Sequence, residues 1–350
     1  MPKICAIRTD GGLLIGSGHI RRMCILAQYL KCHSLTPVLI CREGTEKTFP
    51  ELINEFTKVH VIYNEAEGPK LLAHYYGKSV SMVIFDHYGL MADTHNLYRN
   101  TALFIAAIDD MANRFMDVDI LFDVNIGRTS KSYTGLLPDN AEVYAGSNYQ
   151  IIKPNFFEIK HQCLNRRARR RGKIDRVFIC LGGTDPLSMT SSVLDDVASA
   201  LPDCTVDVVV GSLAPNLQSL KQMVARIRHR VNLHVDAKNI ASLMCKADLA
   251  VGAAGTMTWE RKCVGLPTII LIIASNQDHV GAEMERAKAA VVFDAKLNYP
   301  ELGVKTALTE LFGKPERVIS LGKNAAAMGG HNGAKKISEI INVKIGERSV

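Results

Sequence analysis

The chain has 350 residues, of which 47% are apolar and 22% charged, and it carries a formal net charge of +7. This length favours two domains over one, and the composition is that of a globular protein with hydrophobic cores. No apolar run reaches the ~20 residues of a membrane-spanning helix, and the first residues lack the pattern of a signal peptide. We therefore predict a cytoplasmic protein that does not insert into membranes.

The cysteines and a cluster of arginines narrow the possible classes of protein further. The nine cysteines include no Cys-x-x-Cys pair, and several lie in strand-like runs, which predicts buried thiols rather than a disulfide framework or a zinc site. Five arginines fall within residues 166–171, but no aromatic side chains are interleaved with them and no known nucleic-acid module is present. We interpret this segment as a solvated linker, and we predict no nucleic-acid partner, no metal and no cofactor.

Strand-like and helix-like segments alternate through the first half of the chain. The first strand, residues 4–8, leads into a glycine-rich loop and a helix over about residues 19–31, where apolar residues recur at helical spacing. Further strands are predicted at residues 37–41, 59–63, 81–85, 102–108 and 121–125. Strands separated by helices indicate a parallel sheet, in which ligands bind beyond the carboxyl ends of the strands. The polar residues that we expect to converge at that edge are Arg8, Asp10, Asp86, Tyr88, Asp109, Asp110 and Asn125.

Between about residues 154 and 173 the chain becomes basic and loses its periodicity, and a second α/β block follows. Its strands are predicted at residues 176–181, 205–210, 231–235, 249–252 and 268–273. A helix is expected to start near Pro186, after the first of these strands. We therefore divide the chain into an N-terminal domain of residues 1–155, a basic linker of residues 156–173 and a C-terminal domain of residues 174–350 that includes the terminal helices. Each domain is predicted to be an α/β fold with a parallel sheet.

The glycine-rich loop Ile15-Gly16-Ser17-Gly18-His19 is the first candidate site. Its glycines allow the backbone to turn tightly and to approach a ligand closely. The helix that begins here disfavours the cationic form of His19, and a neutral imidazole is what a general base requires. In the alternative interpretation the loop is only a strand-to-helix turn, with His19 as a capping residue. The loop residues alone leave both interpretations open.

Three turns of the second half suit a nucleotide sugar. Gly182-Gly183-Thr184 and Gly255-Thr256 each follow a strand and offer backbone N–H groups and a hydroxyl to a phosphate. Glu260 lies one helical turn beyond Thr256, where a carboxylate suits a ribose diol. Asn276 and Gln277 follow another strand, and their amides can hydrogen-bond to sugar hydroxyls. Each feature also has a plainer interpretation, as an ordinary turn, a surface glutamate or a helix cap.

Taken together and in chain order, these motifs resemble a known family of hydrolases. This family releases UDP from UDP-2,4-diacetamido-2,4,6-trideoxy-β-L-altropyranose in pseudaminic acid biosynthesis. The matching motifs of the first half are Arg8-x-Asp10, Ile15-Gly-x-Gly-His19-Ile-x-Arg22, Asp86-His87-Tyr88-Gly89, Asp109-Asp110, Leu121-x-Asp-Val-Asn125, Tyr133-x-Gly-Leu-x-Pro138 and Ala145-Gly146-x-x-Tyr149. Those of the second half are Gly182-Gly183-Thr184-Asp185 and Asn239-Ile-Ala-x-Leu-Met244. The resemblance extends over most of the chain.

The resemblance implies a GT-B architecture, in which two Rossmann-like domains face each other across a cleft, and a hydrolysis that uses water as acceptor. His19 would activate the water, which attacks the anomeric carbon with inversion. Tyr88 would contact the substrate, and Asp10 would hold the sugar or orient His19. The other substrate-binding residues implied are Gly16, Gly18, Arg22, Asn125, Asn276 and Gln277. The UDP-binding residues implied are Gly182, Gly183, Thr184, Val235, Gly255, Thr256 and Glu260.

The same resemblance implies that the product enters nonulosonic acid and surface-glycan synthesis, including flagellin glycosylation. We also predict a monomer whose partner is its UDP-sugar substrate. Two alternatives stay open. A GT-B glycosyltransferase would use a related UDP-sugar donor with a sugar or lipid acceptor, whereas a non-catalytic protein would bind the nucleotide sugar without turnover. Incubation with the donor alone separates these possibilities, because a hydrolase releases free sugar without an acceptor.

Overall fold

The computed structural model describes residues 3–12, 15–227, 230–297, 299 and 303–347. The chain divides into two compact units. Unit 1 comprises Met1–Ile152 and His331–Val350, and unit 2 comprises Lys153–Gly330.

Unit 1 is built on a seven-stranded sheet with the strand order β3-β2-β1-β4-β5-β6-β7, in which all paired strands are parallel. Its strands are β1 (Lys3–Thr9), β2 (Leu35–Arg42), β3 (Lys58–Ile62), β4 (Val80–Asp86), β5 (Phe104–Asp109), β6 (Ile120–Asp123) and β7 (Glu142–Ala145). The helices between them are α1 (Gly18–Cys32), α2 (Thr45–Thr48), α3 (Pro50–Ile53), α4 (Glu67–Tyr76) and α5 (Ala92–Leu97). Short 3-10 turns lie at Gly77–Ser79, Ser130–Tyr133 and Ser147–Tyr149.

The central strands of unit 1 are buried on both faces, as expected for parallel strands that are covered by helices. Alternate residues of β1, such as Ile4 and Ala6, pack with Val83 and Phe85 of β4 in one hydrophobic core. Strands β1, β4, β5 and β6 are neighbours in the sheet. Their carboxyl ends therefore lie side by side at one edge, where polar residues follow each strand.

Unit 2 is built on a six-stranded parallel sheet with the strand order β10-β9-β8-β11-β12-β13. Its strands are β8 (Arg176–Cys180), β9 (Thr205–Val210), β10 (Val231–Val235), β11 (Leu249–Ala253), β12 (Thr268–Ile272) and β13 (Val291–Asp294). Its helices are α6 (Pro154–Arg170), α7 (Thr190–Ala200), α8 (Leu217–Arg226), α9 (Ile240–Lys246), α10 (Met257–Cys263), α11 (Asp278–Arg286), α12 (Val304–Gly313) and α13 (Pro315–Ala327), and a 3-10 turn lies at Ser275–Gln277. The prediction of two Rossmann-like units with parallel sheets is confirmed.

Four of the five clustered arginines lie in the C-terminal half of helix α6, not in a linker, and Arg171 follows the helix directly. Pro154 occupies the first helical position, where the missing N–H costs nothing. Arg166 Nη1 and Arg170 Nε contact the same Asp248 oxygen at 2.8 and 3.3 Å, and Arg167 donates to two backbone carbonyl groups of unit 2. The prediction of a solvated linker at residues 156–173 is therefore wrong, because most of this segment is a helix of unit 2 whose arginines bind other residues of that unit.

The last helix, α14 (Gly333–Glu347), belongs to unit 1, although the sequence placed it in the C-terminal domain. Asn332 Nδ2 donates to the Tyr29 hydroxyl of α1 at 2.6 Å, and Lys344 Nζ lies 2.6 Å from a Glu142 oxygen of β7. The predicted boundary of 174–350 for the second domain is therefore corrected, since the final segment contacts helix α1 and strand β7 of unit 1.

Two of the cysteines depart from the prediction of buried thiols. Cys163 of α6 and Cys245 of α9 form a disulfide within unit 2. The other seven are free, and Cys32 is the exposed one among them.

Within the described ranges no helix is both long and apolar enough to cross a membrane. Across the same residues, no group of three or more His, Cys, Asp or Glu side chains is arranged to hold a metal ion.

Candidate active site

The loop that connects β1 to α1 closes through its glycines. Gly12 and Gly16 form an antiparallel bridge, with N–H···O distances of 3.1 and 2.8 Å between their backbones. Gly16 has a φ of +80°, which is in the left-handed region that a side chain disfavours. Helix α1 then begins at Gly18, so His19 lies in its first turn with only 5% of its surface exposed.

His19 is held by the carboxylate of a buried ion pair between Asp86 and Arg22. Its Nδ1 lies 2.7 Å from Asp86 Oδ1, at the last residue of β4. Arg22, one turn further along α1, binds the same carboxylate through two nitrogens, with Nε at 2.7 Å from Oδ2 and Nη2 at 2.5 Å from Oδ1. Burial alone would raise the pKa of Asp86, but the Arg22 guanidinium outweighs it and holds that pKa well below its usual range. Asp86 is therefore a carboxylate.

This ionisation state sets the tautomer of His19. A carboxylate only accepts hydrogen bonds, so the short contact to Asp86 requires a proton on Nδ1. The neutral ring then has its lone pair on Nε2, and no group among the described residues is hydrogen-bonded to that atom. An imidazole held in this way by a carboxylate is the arrangement of a general base.

Two aromatic residues that follow β4 lie beside this imidazole. The Tyr88 ring meets the His19 ring edge-on, with 4.5 Å between centroids and 78° between planes. The Tyr88 hydroxyl lies 3.3 Å from Asp110 Oδ2. His87 stacks on His19 at a longer centroid distance of 6.3 Å. The structure therefore places Tyr88 next to His19.

Asp110 and Asn125 extend the same cluster along the edge of the sheet. Arg22 Nη1 donates to Asp110 Oδ2 at 2.7 Å, and Asn125 Nδ2 donates to the Asp110 carbonyl at 2.6 Å. The remaining side-chain oxygens, Asp110 Oδ1 and Asn125 Oδ1, are buried and have no hydrogen-bond partner among the described residues. These two atoms are acceptors that a ligand hydroxyl or amide can use.

Asp10 and Arg22 have different surroundings from those expected. Asp10 binds Arg8 Nη1 and Nη2 at 2.7 and 2.8 Å and accepts from the Arg42 backbone N–H at 2.6 Å. Among the described residues, Asp10 is linked to the His19 cluster through His87, whose Nε2 lies 3.5 Å from Asp10 Oδ2. The expectation that Asp10 orients His19 is corrected, since Asp86 makes that contact. The three guanidinium nitrogens of Arg22 contact carboxylates of the protein, so it positions those groups and is not open to a ligand.

In unit 2, the turn after β8 has the open backbone that the sequence predicted. Gly182 has a φ of +107°, Gly183 is exposed, and the Gly183 carbonyl accepts from the Gly211 N–H at 2.9 Å. Helix α7 does not begin near Pro186, because the loop continues to Met189 and the helix begins at Thr190. The Asp185 carboxylate caps that later helix start, accepting the N–H groups of Met189 and Thr190 at 3.1 Å each.

The turn after β11 lies beside the turn after β8, because the two strands are paired and Gly252 is in register with Cys180. Gly255 and Thr256 are half-buried, and helix α10 begins directly after them. Glu260 is also half-buried and lies four residues after Thr256, on the same helix. The two predicted phosphate turns are thus neighbours at one edge of the unit 2 sheet.

The remaining predicted residues of unit 2 follow the flanking strands. Val235 ends β10 and is 37% exposed. The 3-10 turn that holds Asn276 and Gln277 follows β12, and Gln277 Oε1 accepts the Ile273 N–H at 3.1 Å. Asn276 is exposed. Thus Gln277 braces its own turn, whereas Asn276 presents its side chain at the surface of unit 2.

Comparisons with known proteins agree with the motifs. No protein-family model matches the chain. The chain is 29% identical over 258 residues to a UDP-2,4-diacetamido-2,4,6-trideoxy-β-L-altropyranose hydrolase of Campylobacter jejuni, covering 72% of this chain and 85% of that protein. It is 23% identical over 282 residues to the spore coat polysaccharide biosynthesis protein SpsG of Bacillus subtilis, covering 77% and 78% of the two chains. The predicted resemblance to the hydrolase is confirmed.

Solved structures show the same architecture. The crystal structure of MurG from Acinetobacter baumannii matches with a TM-score of 0.68 and 12% identity, covering 97% of this chain and 99% of that one. At this identity the similarity concerns the fold alone. It confirms the GT-B fold class predicted from the sequence.

Proposed function

We propose that the chain hydrolyses UDP-2,4-diacetamido-2,4,6-trideoxy-β-L-altropyranose to UDP and the free sugar. The observation that carries this proposal is the contact between His19 Nδ1 and the Asp86 carboxylate, which leaves Nε2 to accept a proton. The choice of substrate is supported by the Campylobacter jejuni relative, whose name states that activity.

In the proposed reaction, His19 Nε2 removes a proton from a water molecule as its oxygen attacks the anomeric carbon. The bond between that carbon and the β-phosphate oxygen breaks, and its electron pair leaves with UDP. The imidazolium that forms is stabilised by Asp86, which stays ionised because Arg22 binds it through two nitrogens. Attack opposite the leaving group inverts the configuration of the anomeric carbon. The proton on Nε2 then returns to solvent, so the base is regenerated.

The unpartnered oxygens of unit 1 support recognition of a diacetamido sugar. Asp110 Oδ1 and Asn125 Oδ1 are buried acceptors, and the substrate carries two N–H groups and hydroxyls that can donate to them. Tyr88 would pack against the sugar ring beside His19. Gly16 and Gly18 would let the loop backbone approach the substrate closely, and Asp10 would support His87 rather than His19.

We assign the uridine diphosphate to unit 2. The neighbouring turns at Gly182-Gly183-Thr184 and Gly255-Thr256 offer backbone N–H groups and hydroxyls for the two phosphates. Glu260 would accept hydrogen bonds from the ribose diol, and the backbone at Val235 would contact the uracil edge. Asn276 and Gln277 would bind the sugar or the diphosphate. No metal is assigned a role, since the backbone groups and the base account for each step.

Substitution of His19 by asparagine tests the proposal. We expect kcat to fall about 10²–10⁴-fold, the range for loss of a general base, while UDP still binds. The matched control is His33→Asn, the same change just beyond the other end of helix α1, where the residue is half-buried and caps the helix through its backbone. This control should keep full activity, and a fully active His19→Asn protein would overturn the assignment.

Labelled water and proton NMR examine the reaction itself. In H₂¹⁸O the label should enter the sugar and be absent from UDP, because the bond on the sugar side breaks. The first anomer seen should have the configuration opposite to that of the substrate. Release of sugar from donor alone supports hydrolysis, whereas a requirement for an added acceptor would replace this proposal with glycosyl transfer. UDP binding without turnover of any UDP-diacetamido sugar would indicate a non-catalytic protein.

A further inference from the structure

A buried arginine lies beneath the two glycine turns of unit 2. Arg261 belongs to helix α10, and only 1% of its surface is exposed. Its Nη2 donates to the Ala253 carbonyl at 2.6 Å and to the Thr258 hydroxyl at 2.8 Å. Its Nε and Nη1 are buried and have no hydrogen-bond acceptor among the described residues. The side chain therefore has unused donor capacity in an enclosed place.

No carboxylate of the described residues lies within ion-pairing distance of this guanidinium, since its bonds go only to a carbonyl and a hydroxyl. Burial lowers the pKa of Arg261 to about 10, and weaker attractions to Cys180 and Glu260 oppose that change. The guanidinium is thus still protonated at neutral pH. Buried charges in proteins are normally paired, because removing an unpaired charge from water is costly. An anion that binds nearby would supply the missing partner.

The position of the guanidinium points to where that anion binds. A Cβ atom on Gly252 would lie 2.2 Å from Arg261 Nη1 and 2.8 Å from the Cys180 carbonyl oxygen. The guanidinium therefore occupies the space that a side chain at Gly252 would need, next to the end of β8. Strand β8 leads directly to Gly182, and β11 leads directly to Gly255. The charge of the Arg261 guanidinium therefore lies at the base of both turns.

We propose that Arg261 is a positioning residue for the diphosphate of the nucleotide. The negative charge of the diphosphate, bound at the two turns, balances the buried positive charge of the Arg261 guanidinium. This inference rests on the proposed function, which assigns the diphosphate to these turns. Because the guanidinium is enclosed, it acts through short-range electrostatics and through the backbone it holds, where solvent screens little. Uridine, which lacks phosphate, should gain nothing from it.

The test compares the dissociation constants of UDP and uridine for wild type and for Arg261→Gln. Glutamine keeps a donor for the Ala253 carbonyl but removes the charge. We expect UDP to bind at least about tenfold more weakly, as for loss of one partner of a buried charge pair, while uridine binds as before. The Arg261→Lys variant keeps the charge and should retain most of the UDP preference. That preference should also persist in added salt.

Lys262→Met is the matched control. Lys262 is the next residue, is also buried and has no carboxylate partner among the described residues, but its Nζ donates to the Met328 carbonyl near α13. Its removal should leave the ratio of UDP to uridine affinity unchanged. If Arg261→Gln keeps the wild-type ratio, the inference about Arg261 is wrong. If wild type fails to bind UDP, the proposed nucleotide site itself is wrong.

A second variant covers the case in which Arg261→Gln does not fold. Gly252→Ala keeps the arginine, but its Cβ displaces the guanidinium from its place. We expect this change to weaken UDP binding relative to uridine. An unchanged ratio in Gly252→Ala would overturn the inference as well.

Discussion

Replacement of Asp86 by asparagine tests the central contact of the proposed active site. The amide presents an NH₂ group to His19 Nδ1, so the imidazole is expected to carry its proton on Nε2, where it cannot accept one from water. In Ser-His-Asp enzymes the same change lowers kcat about 10⁴-fold for this reason, and we expect a loss of about 10³–10⁴-fold here. Arg22 keeps its contact to Asp110 at 2.7 Å. We therefore expect a loss of about 3 kcal/mol in unfolding free energy, the lower end for a broken buried ion pair.

Unit 2 offers a matched control for this change. Asp207 is fully buried, binds two nitrogens of Arg176 at 2.5 and 2.9 Å and lies 3.0 Å from His234 Nε2. Asp207→Asn should lose comparable stability in urea unfolding and keep its kcat. Turnover is followed by proton NMR well below the melting temperatures of both variants. An Asp86→Asn enzyme that works within tenfold of wild type would refute the view that Asp86 sets the tautomer of His19.

Two further predictions concern stability. Gly16→Ala should lower the unfolding free energy by about 1–2 kcal/mol, the cost of a side chain at a left-handed φ, and the urea midpoint measures this change. Gly12→Ala is the control and should change little, because a Cβ there meets none of the described residues within 4 Å. Burial raises the pKa of Asp123 to about 7, above its value of about 3.9 in the unfolded chain. The folded state therefore holds this proton more tightly, and the resulting stability is complete below about pH 4 and lost as the pH rises through 7. The stability of wild type relative to Asp123→Asn should fall between pH 5 and 7, by up to about 1.4 kcal/mol per pH unit, and a constant difference contradicts this reasoning.

The alternation of strands and helices predicts both sheets, because each strand or helix has a hydrophobic periodicity that is visible within its own short segment of sequence. The docking of α14 depends instead on contacts between distant residues. Asn332 binds Tyr29 more than 300 positions earlier in the chain, and no local pattern indicates which core an amphipathic terminal helix covers. Helix α6 illustrates a related difficulty. From the sequence alone its arginines indicate a solvated segment. The structure shows that Asp248 and backbone carbonyl groups, distant in the sequence, bind them.

In the candidate site, too, some features follow from the local sequence and others depend on contacts between distant residues. The polar residues after β4, β5 and β6 were predicted to converge, because parallel strands end at one edge. Which carboxylate faces His19 was not predictable, since Asp10 and Asp86 both follow strands of that edge. The register decides it: Thr9 pairs with Asp86, and Asp10 turns toward Arg8 and the Arg42 backbone. The late start of α7 has a local cause, because Asp185 and Ser188 have positive φ values of 38° and 53° that interrupt the helix.

Residue types alone do not distinguish a catalytic cluster from a structural one. Each unit contains a buried aspartate that binds an arginine through two nitrogens and a histidine through one. In unit 2 the aspartate is Asp207, within strand β9, and an Asn232 amide completes its hydrogen bonds. In unit 1 the aspartate ends its strand, at the edge where ligands bind to parallel sheets.

The groups around the unit 1 cluster also differ from those around the Asp207 cluster of unit 2. His19 follows a loop closed by glycines, and nearby buried oxygens of Asp110 and Asn125 have no partner in the described part of the chain. Buried charges contribute little net stability, because desolvation offsets their attraction. The proposed function gives a reason for the charges of unit 1 that stability does not. The position of the carboxylate, at a strand end beside unsatisfied acceptors, separates the two clusters, and the paired Asp86→Asn and Asp207→Asn variants measure that difference directly.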